Sequence, residues 1–132
     1  MAAIALLGGC AGVGGLRGDT PPEVKRDAVA ARAKARWEHL INRDLEGAYA
    51  YMSPASRATT PLDVYKAQHK VGMYRSIKVD DVKCEADACT VRLSLTYEHA
   101  RMGSRKKGIA ITTPLTEKWI ITQGQAWFVE RS

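Results

Sequence analysis

Glu117, Tyr97 and His99 are the side chains best placed by their spacing for acid–base chemistry. Glu117 alternates in phase with Leu115, Trp119 and Ile121. Tyr97 ends a second alternating run, Cys89, Val91, Leu93, Leu95 and Tyr97, and His99 continues its phase. Alternation of this kind puts such residues on one face of a strand. A general base on that face needs a buried carboxyl with a raised pKa, and Glu117 is the only carboxylate in phase with the inner face of its strand. The other reading places Glu117 in solvent at a bend beyond Pro114 and His99 as a hydrogen-bonded rim residue.

Cysteine chemistry is the second possibility. Cys84 and Cys89 bracket Glu-Ala-Asp-Ala, and strand-like runs lie on either side. A hairpin with a four-residue turn would set the two cysteines opposite each other, within disulfide reach. The alternative is a pair of reduced thiols. The spacing is too long for a CxxC redox site, and the sequence offers no second ligand pair for zinc. It contains no phosphate-binding loop and no Ser/His/Asp or Cys/His set, so no metal or cofactor is expected. Lys25, Arg32, Arg36 and Arg43, spaced by seven, four and seven residues, form a narrow basic stripe on a helix. Such a stripe is either a solvated flank or a contact for anionic lipid headgroups.

The third cysteine has a different setting. The chain begins Met1-Ala-Ala-Ile-Ala-Leu-Leu-Gly-Gly-Cys10. Leu7-Gly8-Gly9-Cys10 resembles a bacterial lipobox: an aliphatic residue, two small residues and the cysteine that takes the lipid. No Lys or Arg precedes Cys10, whereas export signals carry a basic start. The alternative is an apolar first helix with a buried cysteine, which Gly8, Gly9, Gly12, Gly14 and Gly15 oppose, since each costs a helix about 1 kcal/mol. The expected organisation is a signal segment over 1–9, a lipidated Cys10 with a flexible tether to 22, and one domain over 23–132. A Gly-rich tether of this length reaches roughly 20 Å. Ala11 in place of an acidic residue favours the outer membrane, with the domain facing the periplasm. In that setting a Cys84–Cys89 bridge is the expected state.

The elements that must position these residues divide into two halves. Pro21 and Pro22 suit a helix start, and Val29, Ala33, Trp37, Leu40 and Ile41 share one face of a helix over about 23–42. Asp44 caps a second helix, about Leu45 to Met52. Ser53-Pro54 and Thr60-Pro61-Leu62-Asp63 repeat the capping pattern, the latter opening a third helix over about 61–70. After Met73 the period falls to two. Ile77 and Val79 are out of phase with Val82 and Cys84, which predicts a bulge near Asp80-Asp81. Arg101 to Lys107 reads as a basic hairpin turn. Pro114 predicts a bend or bulge. Gln123-Gly124 makes the last turn, before a closing strand through Trp127, Phe128 and Val129. The 132 residues suit one α+β domain, with a 45% apolar content typical of a globular chain and a net charge of +6.

Helices followed by four antiparallel strands, with Trp37-Glu-His-Leu-Ile-Asn-Arg-Asp-Leu-Glu-Gly-Ala-Tyr49 and Met52-Ser-Pro54 on one side and Thr116-Glu-Lys-Trp-Ile120 and Gly124-Gln-Ala-Trp-Phe128 on the other, resemble the NTF2-like superfamily over about 27–131. The resemblance implies a curved sheet closing a cone around a long helix. It implies that any ligand enters at the mouth of the cone. Tyr65, His69, Tyr74, Tyr97, His99 and Glu117 are the candidates there, with Trp119 beside them. It also implies a homodimer formed through the sheet face. Fold alone does not give function. The leading expectation is a non-enzymatic envelope domain binding a partner protein or a small apolar ligand, with a core filled by aromatic and aliphatic side chains. The alternative is an isomerase- or cyclase-type enzyme acting on a small apolar substrate. Nucleic acid is not an expected partner, because export removes it and the sequence has a single basic stripe.

Overall fold

The computed structural model describes residues 15–99 and 108–130. Cys10 with its signal segment, and the basic turn Arg101 to Lys107, lie outside the described residues.

Helix α1 runs Pro22–Ile41 and buries Val29, Ala33, Trp37 and Leu40 along one face. Its 3.6-residue period alone sets that face. Arg43, at φ 63°, turns the chain out of the helix. Asp44 then starts α2, Leu45–Tyr49, by accepting a 3.0 Å hydrogen bond from the Gly47 amide. This helix stops at Tyr49, three residues before Met52. Met52 is drawn away to form a parallel bridge with Phe128. The Ser53 amide donates to the Phe128 carbonyl and the Phe128 amide to the Tyr51 carbonyl, at 2.9 and 2.8 Å.

Ser53-Pro54 opens a helix of its own, α3, Pro54–Thr59, with the serine hydroxyl accepting from the Ser56 amide. The described residues therefore hold four helices rather than three. Helix α4, Leu62–Gln68, begins after Pro61 with no side-chain cap, so the expected capping box at Thr60 to Asp63 does not form.

The sheet is an antiparallel meander in the order β1-β2-β3-β4. Its strands are β1 Tyr74–Glu85, β2 Ala88–His99, β3 Ile109–Thr122 and β4 Gln125–Val129. The register slips between Val79 and Asp81, where the phase change lies. The β1–β2 turn is tighter than expected. Glu85 pairs with Ala88, leaving Ala86 and Asp87 as a two-residue turn, and Cys84 sits opposite Cys89 with a disulfide between them. Pro114 causes no break in the β2–β3 register and pairs with Ser94. It lies before the stretch where β4 joins at Lys118, so β3 has a free edge there that tolerates a missing amide. Gln123 and Gly124, at φ 55° and 75°, form the two-residue turn that suits the twist of a hairpin.

Part of the expected tether belongs to the domain. The Leu16 amide donates to the Gly124 carbonyl at 2.9 Å, and the Leu16 side chain packs against the core. Lys25 reaches from α1 to the carbonyls of Gly18 and Ala86, at 3.1 and 3.3 Å. These contacts tie residues 16–18 to the β1–β2 and β3–β4 turns.

The core lies between α1 and the inner face of the sheet. Val91, Leu93, Leu95, Trp119, Ile121 and Phe128 meet Val29, Ala33, Trp37 and Leu40 there. Among the described residues no helix is long and apolar enough to cross a membrane.

Candidate functional site

Glu117 sits on β3 opposite Val91 and is buried. Trp119, two residues on, shares its face. Three donors converge on its carboxylate. Arg36 Nη1 and Trp37 Nε1 reach Oε2 at 3.0 and 2.8 Å, and Trp119 Nε1 reaches Oε1 at 3.1 Å. Arg36 is itself buried, with its guanidinium 3.6 Å from the centre of the Phe128 ring. A buried carboxylate normally carries a large desolvation cost, and an ion pair with further hydrogen bonds offsets it. Each donor comes from a position the local sequence dictates: Arg36 and Trp37 from the last turns of α1, Trp119 from the alternation of β3.

Arg36 also faces Tyr65, which α4 brings to the interior and which is completely buried. Burial pushes the Tyr65 phenol up from its ordinary pKa; the charge and proximity of the Arg36 guanidinium, near the hydroxyl but outside good hydrogen-bond geometry, oppose this, and Glu130 and Tyr74 add to it. Tyr65 Oη and Arg36 Nε have no hydrogen-bond partner among the described residues. His69 stacks on Tyr65 with ring centres 4.0 Å apart. Its Nδ1 lies 2.8 Å from the Tyr65 carbonyl and its Nε2 3.3 Å from Glu130. Two polar pairs, Glu117–Arg36 and His69–Glu130, thus lie on either side of the Tyr65 ring, with Trp37, Trp119, Phe128 and Tyr74 around them.

The structure separates the residues expected to share a pocket. Trp119 pairs with Cys89 at one end of β2, while Tyr97 and His99 stand at the other end, opposite Ile111 and Ile109. Val91, opposite Glu117, is six residues from Tyr97, roughly 20 Å along an extended strand. Tyr97 is half-buried and His99 exposed, whereas Tyr65 and Trp119 are buried. Glu117 does not face solvent at a bend, and no Tyr97 or His99 side chain reaches it. Tyr65, His69 and Glu117 do belong to one region, with Arg36 as the link.

The basic stripe does not survive as a surface. Lys25 and Arg36 are buried and committed to the carbonyls and carboxylate described above. Arg32 is half-buried at the sheet edge, and of the four only Arg43 is exposed. Anionic headgroups therefore cannot meet these four side chains together. The stripe borders the apolar face closely enough that its inward members reach partners supplied by the sheet. Glu130 and Arg36 were the missing parts of the site. Arg36 adjoins Trp37, but its partner lies 81 residues on, beyond any local pattern.

No family model matches the chain, and no curated protein matches its sequence. Solved structures do. A SEC-C motif containing protein from Rhodopseudomonas palustris has a TM-score of 0.55 at 16% identity, covering 76% of this chain and 73% of that one. A candidate dehydratase from the NTF2-like family of Streptomyces avermitilis gives 0.54 at 14% identity, covering 82% and 93%. AclR, a candidate hydroxylase from Streptomyces galilaeus, gives 0.50 at 18%, covering 75% and 71%. The fold is NTF2-like: an α+β cone of helices packed on an open four-stranded antiparallel sheet. It is a fold found among ligand-binding and enzyme-like proteins, and it specifies no one function.

Proposed function

We propose that this chain is a cell-envelope domain, held by lipid at Cys10 on the periplasmic side with the outer membrane favoured, that binds a partner protein or a small apolar ligand without chemistry. The observation that supports it is the engagement of Glu117. Its two oxygens accept from one guanidinium and two indoles, which hold the carboxylate in its charged form and in place as a structural acceptor. Among the described residues, one surface open to binding is the uncovered end of the cone. There a groove of about 560 Å³ runs between α1 and β1, lined by Glu38, Ile41, Asn42, Arg75, Ser76 and Ile77. Pairing of two copies through the outer sheet face remains part of the proposal.

The test has two arms. The chain expressed from Met1 is recovered from the envelope fraction and its intact mass measured; a product beginning at lipidated Cys10 is expected, and one that keeps Met1 without acyl mass overturns the anchor. The purified domain is then incubated with a β,γ-unsaturated ketone. No conjugation is expected in the absorbance spectrum. Turnover that disappears in Glu117→Gln would move the alternative, an isomerase- or cyclase-type enzyme, to first place. One observation favours that second reading: Tyr65 Oη and Arg36 Nε are buried and have no well-formed hydrogen bond among the described residues. Polar atoms left in that state cost stability unless something uses them.

A further inference from the structure

The edge of β4 carries a second concentration of chemistry, apart from the cone. Arg32 on α1 donates through Nε to the Ala126 carbonyl at 2.6 Å. Its guanidinium lies 4.5 Å from the Tyr51 ring centre and 5.3 Å from that of Trp127. Arg57 on α3 approaches the same indole at 5.5 Å and donates through Nε to the Met52 carbonyl at 3.1 Å. Trp127 is fixed in turn by its Nε1 donating to the Thr122 carbonyl at 3.0 Å.

We infer that Arg32, Arg57 and Trp127 form a surface site for a phosphate monoester. Capping a sheet edge accounts for the Arg32 Nε bond and the stacking. It leaves the Nη groups of both arginines without an acceptor among the described residues. Some exposed cations have acidic partners, Lys66 with Glu46, Arg75 with Glu98 and Lys78 with Asp80, and others such as Lys34 and Lys83 point into solvent; Arg32 and Arg57 are instead half-buried and held in place beside an indole. Neither has an acidic partner among the described residues. Two guanidiniums beside one indole put two positive charges in a small area, which suits a dianion better than a single carboxylate. A phosphate monoester carries about −1.5 to −2 charges at neutral pH. Guanidinium forks match its oxygens in pairs, and their anchored Nε atoms remove much of the ordering cost. The indole face adds contact for a flat apolar group joined to the phosphate. Desolvation already lowers the Arg32 pKa, only partly opposed by Tyr51, so an anion there would relieve an existing cost.

The source of the phosphate is separable by experiment. The full chain is titrated with phenyl phosphate by calorimetry and, separately, sedimented with vesicles of phosphatidylcholine with or without phosphatidic acid. Saturable binding of phenyl phosphate assigns the site to a soluble ester. Binding only to vesicles that contain phosphatidic acid assigns it to a lipid headgroup. In either case Arg57→Gln should weaken binding at least tenfold, and Arg32→Gln with Arg57→Gln should abolish it. Arg32→Lys keeps the charge but loses the fork, and a loss of at least fivefold in that variant separates recognition from simple attraction. Far-ultraviolet circular dichroism confirms that each variant folds. No saturable binding to either probe, or binding unchanged in the double variant, overturns the site.

Discussion

At one end of the β2–β3 pair Cys89, Val91, Glu117 and Trp119 are buried beneath α1. At the other end, in the same alternation, Tyr97 is half-buried, His99 is exposed and Ile109 is 51% exposed. The strands pair without a register break from one end to the other. What differs is the cover. Lys25, near the start of α1, sits over the β1–β2 turn, and Trp37, near its end, packs edge-on against Tyr74 at 5.2 Å. Beyond Trp37 the helix has little length left, and the inner face of the sheet outlasts it. A strand's period tells which face a residue occupies, but not whether another element reaches that part of the face. The closed end can therefore hold a buried ion pair, while the open end can only present a surface.

The closed end should be the more costly to damage, and by a wide margin. Glu117→Ala leaves Arg36 buried without its counter-ion and removes the acceptor of two indoles. A loss of about 3–5 kcal/mol is expected in urea denaturation. His99→Ala at the open end should change stability by no more than about 0.5 kcal/mol. Comparable losses at the two sites would remove the distinction between the ends.

The disulfide tightens the hairpin at the closed end. Cys84→Ala combined with Cys89→Ala should cost about 2 kcal/mol, as expected for so small a loop, with the circular dichroism spectrum unchanged. Two thiols reacting under denaturing, non-reducing conditions in the parent chain would refute the bridge itself.

How much of this contrast was readable in advance depends on the range of each interaction. The alternation of β2, the phase change at Asp80-Asp81, the Asp44 and Ser53 caps and the turn at Gln123-Gly124 are local, and the sequence pattern carries them. The separate helix at Pro54 was marked by its cap, but its end was not. Lys25 and Arg36 were misplaced because surface exposure is the default for their residue types, and their partners lie across the fold. Glu117 was found through its phase with Trp119, whereas its grouping with Tyr97 and His99 failed because phase says nothing of distance along a strand. The aromatic setting of Arg32 had no local signal either: Tyr51 and Trp127 come from two separate segments.

The periphery of the open end should respond to acid first. Asp44, just past α1, has its pKa lowered, chiefly by the hydrogen bond from the Gly47 amide and then by that with His39; desolvation works the other way. A lowered carboxyl contributes stability above its unfolded pKa and loses it as pH falls through the folded value. The protection of the Gly47 amide relative to an unstructured amide should therefore fall below about pH 4, while amides around Val91 stay protected. In Asp44→Ala the Gly47 amide should be unprotected, relative to the same reference, at every pH. Simultaneous loss of protection at both positions would mean that acid acts on the fold as a whole.

A small effect is also expected inside the closed end, and it tests how completely that end is satisfied. Tyr65 is fully buried, and its hydroxyl lacks a partner among the described residues. Removing an unpartnered buried hydroxyl gives back its desolvation cost and leaves no new orphan. Tyr65→Phe should thus change stability by no more than about 1 kcal/mol, in the stabilising direction if at all. Its pH dependence adds a second readout. The raised phenol pKa favours the neutral form in the folded chain, so this contribution is whole below the unfolded value, about 10, and is lost as pH rises through the folded one. That alkaline component should vanish in Tyr65→Phe. A loss of about 2 kcal/mol or more would mean that the hydroxyl does bond to a neighbour, with Arg36 the nearest cation. The ion pair would then extend through Tyr65 toward His69 and Glu130 as one connected network. Such a network would give the closed end a path for protons, and with it the strongest reason to prefer catalysis over binding.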